Sequence, residues 1–208
     1  MILHKTPAQE ISPGIFLLNL SLIPGTSAIA SRVPSGTSGI YAWYQNFSDV
    51  TTKTDSKVYF DSLIDHIHAP KFSPRSTRLP PSHRIKLSSD QKLSDKKKQS
   101  LEALCQNDGF RHLLSQSLDL SIFFQRPLYI GKSSDLRSRV ITHLRSDSDL
   151  RQRLSEAGIK IDTCFLMYIC LSDGFEEDIE GEALIPSEDV MEDVLSRLFQ
   201  PAFTVRYG

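Results

Sequence analysis

The chain is poor in cysteine and in long apolar runs, and each shortage excludes a class of protein; its net charge is also close to zero. Three cysteines among 208 residues form no evident disulfide framework, which indicates a reducing compartment and a cytoplasmic location. No apolar stretch approaches the roughly 18 residues that span a bilayer, so we expect no membrane partner. Neither a Walker A sequence nor a GxGxxG motif occurs, so we also expect no nucleotide cofactor.

The near-neutral charge hides two oppositely charged segments. Residues 71–98 contain nine basic residues against two acidic ones, and residues 173–193 contain ten acidic residues and no basic one. A segment as basic as the first binds phosphate groups, or it is a solvated loop whose lysines keep the chain soluble. The candidate phosphate-binding residues are Lys71, Arg75, Arg78, Arg84, Lys86, Lys96, Lys97 and Lys98.

Two short segments containing glycine, isoleucine and tyrosine read as strands. The first, Gly39-Ile40-Tyr41, begins a predicted strand over residues 39–44 that comes after a Pro-Ser-Gly turn. The second, Tyr129-Ile130-Gly131, lies in a predicted strand over residues 128–131. Aromatic residues in such strands often do no more than pack a sheet, so neither segment alone indicates a function.

A charged helix comes directly after the second segment. Residues 133–135 supply its N-cap and first turn, and apolar residues repeat at positions 136, 140 and 144. At 100° per residue, Arg139 and His143 flank this apolar stripe. They would therefore lie at the border between core and solvent, where the wall of a site would be.

The other elements are predicted from periodicity and from breakers. We predict strands over residues 15–18 and 164–171 and helical spacing within residues 60–67, 101–114 and 150–157. Residues 70–81 contain four prolines and are predicted to form an extended loop. A final helix over residues 187–199 should stop before Pro201.

Together these features resemble the signature of the GIY-YIG nuclease family, whose members cut phosphodiester bonds in DNA with one divalent metal ion. Arg139 lies eight residues after Gly131 and His143 lies four residues after Arg139, as in the family's pattern. The family also has a glutamate nine residues before a proline, then an aromatic residue and an asparagine. Here Glu192, Pro201 and Phe203 match, and Thr204 stands at the asparagine position.

The resemblance implies an α/β (α+β) fold in a single domain over residues 1–208. Its core would be a small three-stranded, mainly antiparallel sheet flanked by helices. In most members a short connection joins the first two core strands, whereas here residues 42–128 intervene. We therefore predict a large, mostly helical and basic insertion over residues 45–126. It would be the DNA-binding and recognition element.

The resemblance also assigns roles to residues. Glu192 would bind Mg²⁺, with Mn²⁺ as a substitute; Glu188 and Asp193 are the competing carboxylates. Arg139 would pair with the scissile phosphate. Tyr41 would act near the attacking water, with Tyr129 and Lys132 in the same pocket. Either Tyr41 or His143 would be the general base, because a tyrosine with an ordinary pKa near 10 is a poor base at neutral pH.

A compact nuclease with a basic insertion is most similar to the family's Type II restriction endonucleases. Such an enzyme would bind double-stranded DNA, and a palindromic site would call for a homodimer or paired monomers. Arginines of the insertion would then read guanine edges or contact phosphates. The alternatives are a nuclease without sequence preference or with structure preference, in defence or repair, and a DNA-binding protein without catalysis.

Overall fold

The computed structural model describes residues 6–68, 76–79, 83–86, 93–171 and 186–203, with the backbone alone for residues 76–79 and 83–86. The strands in these ranges are β1 Ala8–Ser12, β2 Ile15–Asn19, β3 Gly39–Tyr44, β4 Ser76–Leu79, β5 His83–Lys86, β6 Tyr129–Ser133 and β7 Phe165–Cys170. The α-helices are α1 Thr26–Ala30, α2 Ser48–Thr51, α3 Ser56–His68, α4 Asp95–Cys105, α5 Asp108–Asp119, α6 Leu136–Leu144, α7 Asp149–Glu156 and α8 Ser187–Phe199. Short 3₁₀ turns occupy Leu20–Leu22, Ser121–Phe123 and Ile161–Thr163.

A five-stranded antiparallel sheet organises the fold, in the order β1-β2-β7-β3-β6. The predicted mixed α/β class is confirmed, but the sheet has five strands where three were expected. The extra width comes from a hairpin, because β1 pairs with β2 and β2 pairs along its whole length with residues 165–169 of β7. Across β3 and β6, Tyr41 lies opposite Gly131 and Trp43 lies opposite Tyr129.

Both faces of β3 are covered, which explains its unbroken apolar sequence. On one face Tyr41 and Trp43 pack with the apolar side of α6, at residues 136, 140 and 144. On the other face Ile40 and Ala42 pack with Ile130 of β6, and residues 191 and 195 of α8 cover them. Helices α6 and α8 therefore lie on opposite faces of the sheet.

The residues between β3 and β6 have a core of their own. Helices α2 to α5 enclose the buried residues Val50, Tyr59, Phe60, Leu63, Ile64 and Cys105. The helical spacing predicted there is confirmed by α3, α4 and α5. The predicted extended loop over residues 70–81 differs in part, because residues 76–79 form β4, which pairs with β5 in a two-stranded ribbon.

Outside this region the sequence periodicity located the elements closely. The last helix has the predicted bounds, Ser187–Phe199, and α7 differs from the prediction by one residue at each end. The strand predicted over residues 164–171 is confirmed as β7. Within the described ranges, no helix combines the length and the apolar character that crossing a membrane requires.

Candidate active site

A cluster of four predicted site residues forms where α6 lies against β3 and β6. The Tyr41 hydroxyl is 2.7 Å from His143 Nε2, and it accepts a hydrogen bond from Arg139 Nε at 3.2 Å. The Tyr129 ring centroid is 5.4 Å from that of His143 and 6.1 Å from that of Tyr41. Residues from positions 41, 129, 139 and 143 thus meet at one oxygen atom and its surroundings.

Local interactions fix the register of α6 over the sheet. The Asp135 carboxylate accepts a hydrogen bond from the Ser138 backbone N–H at 3.2 Å, which caps the helix. The Leu136 N–H donates to the Thr37 carbonyl at 3.0 Å, which ties the first turn to the segment before β3. Because Arg139 and His143 are one helical turn apart, both side chains lie on the same face of α6 and contact Tyr41.

Gly39 allows the closest approach in this part of the sheet. A Cβ atom there would collide with the backbone carbonyl oxygen of Ile169 on β7 and would lie 2.9 Å from Leu136 Cδ1 on α6. Any side chain at residue 39 would therefore force β3 and β7 apart and would crowd Leu136 of α6. The first glycine of the Gly-Ile-Tyr segment is thus a packing requirement of the site.

Burial sets the protonation states in the cluster. His143 is 6% exposed, and this burial, with the positive charges of Arg139 and Arg153, lowers its pKa to about 4. The imidazole is therefore neutral at physiological pH. Burial also raises the pKa of the Tyr41 phenol, an effect strengthened by Tyr129 and opposed by Arg139. The Tyr41 hydroxyl thus keeps its proton, and it shares a hydrogen bond with His143 Nε2.

Lys132 and Glu192 do not join this cluster. Side chains alternate along β6, so Lys132 belongs to the face that α8 covers, and its Nζ pairs with Asp189 Oδ1 at 2.7 Å. Glu192, one turn further along α8, accepts a hydrogen bond from Ser196 Oγ at 3.2 Å. Within the described sheet β6 is an edge strand. The tyrosine cluster and the Lys132–Asp189 pair therefore flank the same edge from opposite faces.

The residues of α8 offer hard oxygen donors of the kind that Mg²⁺ prefers. Among the described residues, no three His, Cys, Asp or Glu side chains converge as a preformed metal cage. Such a cage is not required, because Mg²⁺ keeps several waters and binds one or two carboxylates together with substrate phosphates. The partly exposed carboxylate of Glu192 fits that requirement.

The basic candidates divide into three groups by position. Lys71 and Arg75 lie outside the described residues. In the β4–β5 ribbon, Arg78 is paired directly with Arg84, and Ser76 with Lys86. Lys96, Lys97 and Lys98 are exposed in the first turn of α4.

Three contributors near the site were missed by the sequence analysis. Asp189 was one carboxylate in a long acidic tract, and only the fold selects it as the partner of Lys132. Arg145 and Arg153 line a cleft beside His143, but they belong to no motif. The sequence marks these two residues only by a concentration of arginines after α6.

The described residues include part of the C-terminal end of the family pattern. Pro201 and Phe203 are buried, and the Phe203 N–H donates to the Leu128 carbonyl at 2.8 Å, beside the start of β6. Thr204 lies outside the described residues. No protein-family model, curated protein or solved structure matches this chain. The resemblance to GIY-YIG nucleases therefore stays a prediction from the residues and spacings described above.

Proposed function

We propose that this protein is a metal-dependent DNA endonuclease that hydrolyses phosphodiester bonds, and that it is a sequence-specific enzyme of the Type II restriction class. The observation that carries the proposal is the meeting of Tyr41, Arg139 and His143 at the phenol oxygen. The first comes from β3 and the other two from α6, about one hundred residues away in the chain. The cluster combines a proton acceptor, a hydroxyl that can relay a proton and a cation for the phosphate, and these groups suit phosphodiester hydrolysis.

The neutral imidazole of His143 is the terminal base in this mechanism. Its Nε2 accepts the Tyr41 proton while the Tyr41 oxygen takes a proton from the attacking water. The water oxygen then bonds to phosphorus, and the P–O bond to the leaving 3′ oxygen breaks. The 3′ alkoxide takes a proton from solvent water, and the imidazolium of His143 returns its proton to solvent. This relay avoids a free tyrosinate, which the raised pKa of Tyr41 disfavours. The two candidate bases, Tyr41 and His143, therefore act together as a pair.

Arg139 has two successive partners in the proposal. In the free protein its Nε–H covers the Tyr41 oxygen, and the side chain is otherwise exposed. An incoming phosphate competes for the guanidinium, because a bidentate pair with an anion is stronger than a bond to a neutral hydroxyl. Turning toward the phosphate uncovers the Tyr41 oxygen for the attacking water. Substrate binding and exposure of the relay are then one event.

Glu192 would hold the divalent metal at the edge of β6. When bound, the metal would supply Lewis-acid stabilisation of the leaving oxygen. The Lys132–Asp189 pair positions α8 along this edge. A DNA strand lying across the edge would contact the tyrosine cluster from one face and α8 from the other.

Two features of the region between β3 and β6 favour DNA as the partner. Like charges directly opposite each other destabilise a two-stranded ribbon, yet Arg78 is paired with Arg84. Lysines in the first turn of a helix oppose its dipole, yet α4 has three. An anionic ligand would offset both costs. A two-stranded ribbon also fits the major groove of DNA, which favours the sequence-specific class.

The decisive experiment is incubation of the purified protein with plasmid and phage DNA in Mg²⁺ and in Mn²⁺. Discrete fragments are expected from the wild type, and Arg139→Ala and Glu192→Ala should lose them. A matched control is Arg126→Ala, which removes an exposed arginine whose side chain donates to the backbone carbonyls of residues 200 and 201 and not to the Tyr41 oxygen.

The pattern of products separates the three classes. A smear that disappears in both variants would retain the chemistry but replace the restriction enzyme with a nuclease without sequence preference. Intact DNA on several methylation backgrounds, together with tight binding, would indicate a DNA-binding protein without catalysis. Cleavage that survives both substitutions would overturn the proposed site.

A further inference from the structure

We propose that the cleft between α6 and α7 binds the DNA backbone next to the scissile phosphate, and that Arg145 contacts the neighbouring phosphate there. This inference rests on the proposed function and extends it to a second contact. The cleft has a volume of about 270 Å³ and opens beside Tyr129, Arg139 and His143. Any ligand in it therefore adjoins the tyrosine cluster directly.

The far side of the cleft is formed by the connection into α7. Arg145 and Asp147 come from the segment after α6, and Arg153 comes from the second turn of α7. Leu150 contributes an apolar surface. Three arginines and a neutral histidine thus face two aspartates, because Asp149 also lines the cleft. The cleft therefore carries more positive than negative charge, which favours an anionic ligand.

The three arginines of the cleft differ in the contacts that their side chains already make. Arg153 donates to the Phe203 carbonyl at 2.7 Å and to Asp149 Oδ1 at 3.0 Å, so it is held in place. Arg139 is directed at the Tyr41 oxygen. Arg145 is exposed, and its side chain forms no hydrogen bond or ion pair within the described part of the chain. It can therefore pair with a ligand without breaking a contact to any of the described residues.

The size of the cleft selects the kind of ligand. Sites for drug-sized molecules usually occupy roughly 300–1,000 Å³, so this cleft holds about one nucleotide unit and not a base pair. Arg145 would face a phosphate of that unit. With Arg139 on the scissile phosphate, a continuous strand would place its next phosphate toward Arg145. The cleft would then orient the strand for attack.

The test combines protein variants with charge deletion in the DNA. Duplexes carry the mapped cleavage site, or the best-bound sequence, with a single uncharged methylphosphonate at each position flanking the scissile phosphate. Their affinities for wild type and for Arg145→Ala are measured in EDTA, so that no cleavage occurs. Arg145 is exposed, so its replacement leaves the core intact.

At one flanking position the wild type should lose roughly tenfold or more in affinity, as expected for a charge-assisted contact. Arg145→Ala should lose about the same factor on unmodified DNA and nothing further on that methylphosphonate duplex. Lys160→Ala, another exposed cation outside the cleft, should remain sensitive to the modification. Asp147→Asn should tighten binding, because it removes a negative charge from the cleft.

Two results would overturn the inference. If the effects of Arg145→Ala and of every methylphosphonate on DNA affinity are additive, Arg145 contacts no flanking phosphate and the inference fails. The proposed function would still stand if the wild type cuts DNA. If the wild type neither binds nor cuts any duplex, the proposed function fails and this inference fails with it.

Discussion

The phenol group of Tyr41 fills the space that a side chain at residue 131 would need. A Cβ atom built on Gly131 would collide with the Tyr41 hydroxyl and would lie 2.6 Å from Tyr41 Cζ and 2.8 Å from Tyr129 Cε1. The two residues are paired across β3 and β6. The glycine of one segment and the tyrosine of the other are therefore a single packing solution, which places the hydroxyl under His143.

Gly131→Ala should therefore destabilise the protein and displace the hydroxyl. Overpacking of this kind costs about 1–3 kcal/mol, and the free energy of unfolding in urea measures it. The matched control is Gly109→Ala on α5, where the added Cβ would meet only the Asn107 side chain at 3.1 Å. Equal stability of the two variants would show that Tyr41 does not occupy the space over residue 131.

The fold shows which features a sequence of this kind can predict. The last helix has a clear period and ends before Pro201, so both of its bounds were predicted correctly. Strand β1 was missed, because Ala8–Ser12 is short and only partly buried and is held by pairing with β2. The relation of Glu192 to the tyrosine cluster was also out of reach, since it depends on which face of the sheet α8 covers.

The low pKa of His143 should appear as a pH dependence of stability. The unfolded chain takes up this proton near the ordinary pKa of 6.5, whereas the folded protein does so only near pH 4. The unfolded state binds more protons between these values, so the free energy of unfolding should fall as the pH drops from about 6.5 to about 4. His143→Gln should show a shallower decline in urea titrations across this range.

The same protonation governs the proposed catalysis. A neutral His143 should keep the cleavage rate nearly constant from pH 8 down to pH 6, with the acid limb close to pH 4 and not near 6.5. A loss of activity centred near pH 6.5, with intact folding, would mean that the base is not this buried imidazole. Nuclear magnetic resonance titration of the imidazole gives the pKa directly.

Glu192→Gln should slow cleavage strongly while retaining DNA binding. The amide preserves the shape of the side chain and its capacity to accept from Ser196, but it removes the charge that would hold the metal. A loss of roughly 10²–10³-fold in rate is expected for a preorganised electrostatic contribution. Glu188→Gln, one turn earlier on α8, is the matched control in single-turnover assays, and equal losses in both would indicate that the acidic tract acts as a whole.

The β4–β5 ribbon and the first turn of α4 should contribute to DNA binding in different ways. If Arg78 and Arg84 read guanine edges, replacing either by alanine should lower affinity for the cognate site by roughly 5- to 150-fold and spare unrelated DNA. Lys97→Ala should weaken binding to all sequences alike and reduce the salt dependence by about one counterion. Both sets are measured by titrations at several salt concentrations. If the arginine variants behave like Lys97→Ala, the paired arginines of the ribbon contact phosphates, and sequence must be read elsewhere in the chain.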